Sequence, residues 1–230
     1  MPASTEHAAS FRSASTEDYL KAIFSLTTAS ESGASTNDLA EKLGISAGSV
    51  SAMIKRLDED GLVEHVPYRG ARLTDEGERV ALRVLRRHRL LELFLTEELG
   101  VPWNRVHEEA EVLEHAISDD LIDRIATKLG DPEFDPHGDP IPTRDLVLET
   151  RATELLPDIP PGTKATFVRI SDQNPEMLSY LSSLGIALGD EIQLIAREPF
   201  EGPCRIRAGG ETLTIGIPLA SAMQVQPRNG

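Results

Sequence analysis

The sequence predicts an α+β chain of several domains, and three observations predict it. A helix, helix, turn, helix, hairpin succession comes first, and a long apolar helix with shorter followers occupies the middle. Beyond a proline-rich stretch the composition turns to β-rich runs.

The first element is "TEDYLKAIFSL", which places Tyr19, Leu20, Ile23, Phe24 and Leu26 on one helical stripe, with Ser15 or Thr16 as the expected N-cap. "ESGAST" breaks it. "STNDLAEKLGI" reads as a second helix capped by Ser35 or Thr36, and "SAGSVSAMIKRLDEDGLV" as a third, opened by Ser46 and closed by Gly61. "LVEHVPYRGARLT" then gives two extended runs around a Pro-Tyr-Arg-Gly turn, a β-hairpin. This is the order of a winged helix-turn-helix, with Gly44 at the tight bend.

From Thr74 to Glu98 the spacing of Val80, Val84, Leu90, Leu91, Phe94 and Leu95 predicts one long helix. "VPWNRVHEEAEVLEHAISDDLIDRIATKLG" supplies further helices, and "DPEFDPHGDPIPTRD" is an irregular loop. "GTKATFVRI", "DEIQLIAR", "CRIRAGGETLTIGI" and "AMQVQP" are strand-like, with one short helix at "NPEMLSYLSSLGI", as in a small barrel. The expected division is a flexible leader over 1–14, a winged helix over 15–80, a helical domain over 81–150 and the barrel over 160–227.

Composition narrows the function classes. No apolar run approaches the roughly 18 residues of a membrane span, and the leader lacks the basic and apolar blocks of a signal peptide. The single cysteine, Cys204, excludes an internal disulfide framework and fits a reducing compartment, so a cytoplasmic location is expected. A formal net charge of −15 argues against nucleic-acid binding unless one face is locally basic, and it leaves room for a divalent cation among the carboxylates.

Two constellations carry chemistry. Ser46, Gly48, Ser49 and Ser51 open the third helix, and Lys55 and Arg56 follow, where small hydroxyls and a helix N-terminus suit phosphates and base edges. Arg69 and Arg72 on the hairpin would flank the duplex. Ordinary caps and surface charges are the alternative; the hairpin in register favours DNA. In the second constellation, "EEAEVLEH", Glu111, Glu114 and His115 fall at i, i+3 and i+4. Such a face is either solvated or holds a cation. His88 and Glu92 form another i, i+4 face, and His107 lies one turn before Glu111. One such pair is usually a surface ion pair, whereas two on packed helices point to a shared cation or proton.

The segments "TEDYLKAI", "DLAEKLGISAGSVSAMIKRLDEDGLV", "YRGARLTDEGE", "RRHRLLELFL" and "VHEEAEVLEHAISD", followed by "GDPIP", resemble in order and spacing the diphtheria toxin repressor family of metal-dependent transcriptional regulators. The resemblance extends over nearly the whole chain past the leader. It implies a helical dimerisation domain, an SH3-like C-terminal domain of the FeoA type, and a homodimer that binds double-stranded operator DNA when divalent metal is held. The implied primary site is Asp18, Glu111, Glu114 and His115; the implied ancillary site is His88, Glu92 and His107. Asp135, His137 and Asp172 match further ancillary ligands of manganese-type members, with Asp135 standing where cysteine is frequent.

The departures favour Mn(II), with Fe(II) the alternative. Iron-type members carry methionine and cysteine where this chain has Asp18 and Glu111, and carboxylates harden the site. Compact manganese regulators have a glutamate where Lys21 stands, which favours separate sites over a closely spaced metal pair. The recognition helix has Ala52 in place of a frequent glutamine, which shifts readout toward phosphates and DNA shape. The implied function is a repressor of manganese uptake genes. A helical metalloenzyme is the rival from another class, but "HEEAE" lacks a second histidine at Glu111 and no Glu-x-x-His copy is present. A metal-independent winged-helix regulator is the other rival.

Overall fold

The computed structural model describes residues 13–28, 33–66, 70–171 and 173–228. The leader through residue 12 and the candidates Arg69 and Asp172 lie outside the described residues. The chain forms two compact units, one through Leu85 and one from Arg86 onward.

The first unit is a winged helix-turn-helix. Helix α1 (Ala14–Thr28) begins earlier than the sequence suggests: Ser13 Oγ accepts from Thr16 N (3.3 Å), so Ser15 and Thr16 lie in the first turn. Ser13 offers the same capping chemistry just upstream, which is why the boundary shifts. Helix α2 (Thr36–Leu43) is capped by Ser35 and stopped by Gly44, whose φ of 65° gives the left-handed bend into α3 (Ala47–Glu59). Strands β1 (Val63–Val66) and β2 (Gly70–Leu73) pair antiparallel, and Ala34 adds a short third rung through two 2.9 Å bonds with Ala71. Leu20, Ile23, Leu39, Ile54, Leu57 and Leu62 fill the core, each burial contributing about 1.5–3 kcal/mol.

Helix α4 (Asp75–Leu99) carries the chain from the first unit into the second. There it packs with α5 (Val106–Leu113) and α6 (Asp119–Lys128) through Leu90, Leu91, Ala110, Ile122, Ile125 and Ile141. The same unit holds a six-stranded antiparallel sheet in the order β3-β8-β4-β5-β6-β7. Its strands are β3 (Glu154–Leu155), β4 (Lys164–Ile170), β5 (Glu191–Arg197), β6 (Cys204–Ala208), β7 (Glu211–Ile215) and β8 (Met223–Pro227). With helices α7 (Pro175–Ser183) and α8 (Ile217–Ala222) it encloses a core led by Phe167, Ile170, Leu194, Ile206 and Val225.

Two elements differ from the sequence reading. Helix α8 follows β7 and fills the gap between the strand-like runs "CRIRAGGETLTIGI" and "AMQVQP", where the sequence reading assigns no element; Pro218 in its first turn starts the helix. Strand β3 is only two residues long, too short for any periodicity to reveal. Within β4 the register against β8 shifts between Phe167 and Arg169, which makes Val168 a bulge.

Candidate metal centre

Helix α4 presents His88 and Glu92 one turn apart on its inner face, both buried. His88 Nε2 lies 3.0 Å from Glu92 Oε1 and 3.1 Å from Nδ1 of His107, which enters from the first turn of α5. His107 Nδ1 is itself 3.2 Å from Glu92 Oε1. The structure therefore brings His88, Glu92 and His107 together, as their helical spacing suggests.

The carboxylates of "EEAEVLEH" divide. Glu108 and Glu109 are exposed. Helix α5 ends at Leu113 with Glu114 as its C-cap, so His115 sits in the following turn rather than on the helix face. Glu114 is fully buried; its Oε2 is 2.5 Å from His88 Nδ1 and its Oε1 is 3.5 Å from His115 Nε2. Glu111, half-buried, places Oε1 3.6 Å from His107 Nε2 and 3.7 Å from His88 Nδ1. Residues that the sequence divides into two ligand sets thus meet at one imidazole. Asp18 lies half-buried on α1 in the first unit.

The loop after α6 supplies Asp135 and His137, both buried. Asp135 Oδ1 accepts from the backbone N of His137 (2.8 Å) and of Asp139 (2.9 Å), a tight Asx-type turn. His137 Nε2 donates to the Trp103 carbonyl (2.8 Å), which leaves Nδ1 of the neutral ring with its lone pair available as an acceptor or metal ligand. That Nδ1 is 3.7 Å from Glu92 Oε2, beyond hydrogen-bond reach. Glu92 Oε2, Asp135 Oδ2 and His137 Nδ1 are all buried and none has a hydrogen-bond partner, yet one ligand atom from each of these residues falls within a 4.8 Å cluster.

The electrostatics match that geometry. Burial pushes the Glu92 carboxyl up, but the facing His107, His137 and His88 hold it well below the usual carboxylate range. Asp135 is pushed up to about 7 by burial, reinforced by the nearby charges of Asp139 and Glu92. Burial works to lower His137, and the Glu92 carboxylate opposite it outweighs that and raises it. Orphaned buried acceptors are costly, and acids crowded until one holds a proton are in the electrostatic state that a cation relieves. The residues present fit a divalent ion.

Some contributors carry no sequence signal. The Trp103 carbonyl belongs to the backbone, and Arg89, whose guanidinium lies 3.8 Å from Asp135 Oδ2, reads in "RRHRLL" as one more surface cation.

In the first unit, Ser46, Gly48, Ser49, Ser51, Lys55 and Arg56 line an exposed face of α3. Ser46 Oγ caps the helix by accepting from Ser49 N (3.1 Å), and Ser51 Oγ donates to Ala47 O (3.0 Å). Among the described residues Lys55 and Arg56 make loose pairs with Glu59 and Asp60, at 3.8 and 4.0 Å. Arg72 is exposed on β2.

Three family models match the chain in succession. They are the iron dependent repressor N-terminal DNA binding domain over residues 12–71, the iron dependent repressor metal binding and dimerisation domain over 74–143, and the FeoA domain over 155–227. The diphtheria toxin repressor of Corynebacterium efficiens is 34% identical over 203 residues, covering 84% of this chain and 86% of that protein. The iron-dependent repressor IdeR of Mycobacterium leprae is 37% identical over 226 residues, covering 92% and 96%. A solved manganese-dependent transcriptional repressor in complex with manganese is 45% identical with a TM-score of 0.87, covering 93% of this chain and all of that one.

Proposed function

The chain belongs to the diphtheria toxin repressor family of metal-dependent transcriptional repressors, and from that premise we propose that it is a manganese-activated regulator repressing manganese uptake genes. The observation that carries the proposal is the donor set. Among the described residues, every ligand atom converging on the site is a carboxylate oxygen or an imidazole nitrogen; the one cysteine, Cys204, is buried in the C-terminal sheet. Carboxylate-rich sites without sulfur suit Mn²⁺. The 45% identical solved structure, a manganese-dependent transcriptional repressor in complex with manganese, supports the same choice.

In this reading Glu92, Asp135 and His137 hold one ion, with His88 and His107 beside it. Glu111, Glu114 and His115 hold another, with Asp18 as its fourth ligand. The place of Asp18 rests on the family resemblance. Binding then ties the first helix to the dimerisation segment and selects the spacing at which two recognition helices reach successive major grooves. The working unit is a homodimer on double-stranded operator DNA, in the cytoplasm, without catalytic activity. Among the described residues no helix is long and apolar enough to cross a membrane.

Fe²⁺ is the second reading, favoured by the relative named as an iron-dependent repressor. Binding isotherms for Mn²⁺, Fe²⁺ and Zn²⁺, each with DNA affinity measured beside it, separate the two. Manganese activation requires that DNA affinity rise at free Mn²⁺ levels where Fe²⁺ leaves it unchanged.

A further inference from the structure

We propose that the C-terminal sheet positions the metal-binding loop, with Arg169 as the positioning residue. The inference rests on the reading that Glu92, Asp135 and His137 hold an ion, and it assigns a role to residues that are not ligands.

The loop is docked on β4 at its bulge. Gly138 has φ 82°, and a Cβ there would lie 2.0 Å from the Val168 carbonyl, so only glycine lets the loop sit this close. Ile170 N donates to the His137 carbonyl (2.9 Å), which adds the ligand-bearing backbone to the strand. Val168 is the bulged residue, and Arg169 follows it. Bulges re-aim the side chains around them.

Arg169 uses that position to reach Asp139. Its Nη2 is 2.6 Å from Asp139 Oδ1, and Asp139 is buried. From the opposite element, Arg89 on α4 places Nη2 3.7 Å from the same oxygen and Nε 3.8 Å from Asp135 Oδ2, and it donates to the Pro140 carbonyl. Gln173 Nε2 meets Asp139 Oδ2 at 3.4 Å. A third tie runs through Trp103, which stacks on the His137 ring at 6.0 Å and donates from Nε1 to Ser182 Oγ of α7 (2.9 Å). Asp139 is thus the clasp between two arginines, one on the helix that carries Glu92 and one on the sheet. Without Arg169, a buried carboxylate four residues from Asp135 loses its nearest cation, and the loop loses the side-chain anchor that aims Asp135 and His137 at Glu92.

The test uses the full-length chain stripped of metal and titrated with Mn²⁺ alone, followed by calorimetry and by the fluorescence of Trp103, the chain's single tryptophan. Arg169→Gln weakens the ion lost in an Asp135→Asn control by roughly 10–100-fold, the range for outer-shell partners of metal ligands. It leaves the remaining ion within about twofold, and Arg169→Lys recovers part of the loss. A merely structural role would not single out one of the two ions. Wild-type affinities in Arg169→Gln, alongside loss of one ion in Asp135→Asn, would overturn the positioning role and leave the metal reading standing. Absence in the wild type of any ion sensitive to Asp135→Asn would overturn both. Should Arg169→Gln not fold, Asp139→Asn removes the same ion pair with less change of shape and is read by the same outcomes.

Discussion

His88 Nδ1 lies 2.5 Å from Glu114 Oε2 while the other nitrogen of the same ring faces Glu92. One imidazole therefore separates the carboxylates of the two proposed ion sites. The two ring nitrogens of His88 are hydrogen-bonding partners for both buried carboxylates, Glu114 and Glu92.

Removing that ring should cost more when metal is absent than when it is bound. His88→Ala leaves two buried carboxylates without their shared partner, and breaking such an arrangement costs about 3–5 kcal/mol. Denaturant titrations of the stripped protein are expected to show this loss, and added Mn²⁺ to recover much of it, because an ion bound only by the folded state stabilises it. Equal losses with and without Mn²⁺ would place His88 outside the metal chemistry.

The helical part of this site was legible from the sequence. His88 and Glu92 share a face by spacing alone, and Glu111 and Glu114 nearly do. His115 is the exception, since α5 stops at Leu113, before the register reaches it. Asp135 and His137 sit on an irregular loop, where no periodicity links them to Glu92 more than forty residues earlier; only the family resemblance pointed there. The Asp139–Arg169 contact joins the loop after α6 to the sheet and the Trp103–Ser182 contact joins the turn before α5 to α7, each across a long stretch of chain, and local pattern carries no trace of them. The winged helix was readable because its caps, its Gly44 turn and its hairpin are all local signals.

Stability of the metal-free protein should fall as pH rises toward neutrality. The folded pKa of Asp135, about 7, exceeds the unfolded value near 4. The folded state thus binds the extra proton between those values, and its stabilisation is lost as pH climbs through about 7. The raised His137 acts in the same direction. Glu92, held low, contributes the opposite trend, losing its stabilisation only in acid below the normal carboxylate range. Unfolding free energies from pH 5 to 8 should decline by a few kcal/mol. Asp135→Asn should flatten the decline; an unchanged slope in that variant would contradict the assignment.

Metal preference should follow the softness of position 135. Asp135→Cys places a thiolate among imidazole and carboxylate donors and should raise affinity for Zn²⁺ relative to Mn²⁺ by at least tenfold. Competition titrations with a metallochromic chelator read the ratio, and an unaltered ratio would show that Asp135 does not ligate.

On the DNA side, Arg56 is an exposed cation on α3, paired with Asp60 at 4.0 Å. Arg56→Ala should weaken binding uniformly across sequences and reduce the salt-dependence slope by roughly one per protomer. Anisotropy titrations between low and moderate salt measure it. A loss of discrimination between sequences with an unchanged slope would instead assign Arg56 to base readout.

The proposed function requires that manganese switch this chain onto DNA. DNA fragments selected from a random pool in the presence of Mn²⁺ are labelled, and protein binding is followed as Mn²⁺ is titrated into chelator-stripped wild type, Glu111→Ala and Asp18→Ala. Wild-type affinity should rise by about a hundredfold or more, a coupling near 3 kcal/mol, and both variants should lose most of that rise. DNA binding equally tight with chelator and with Mn²⁺, or variants that respond as wild type does, would contradict it.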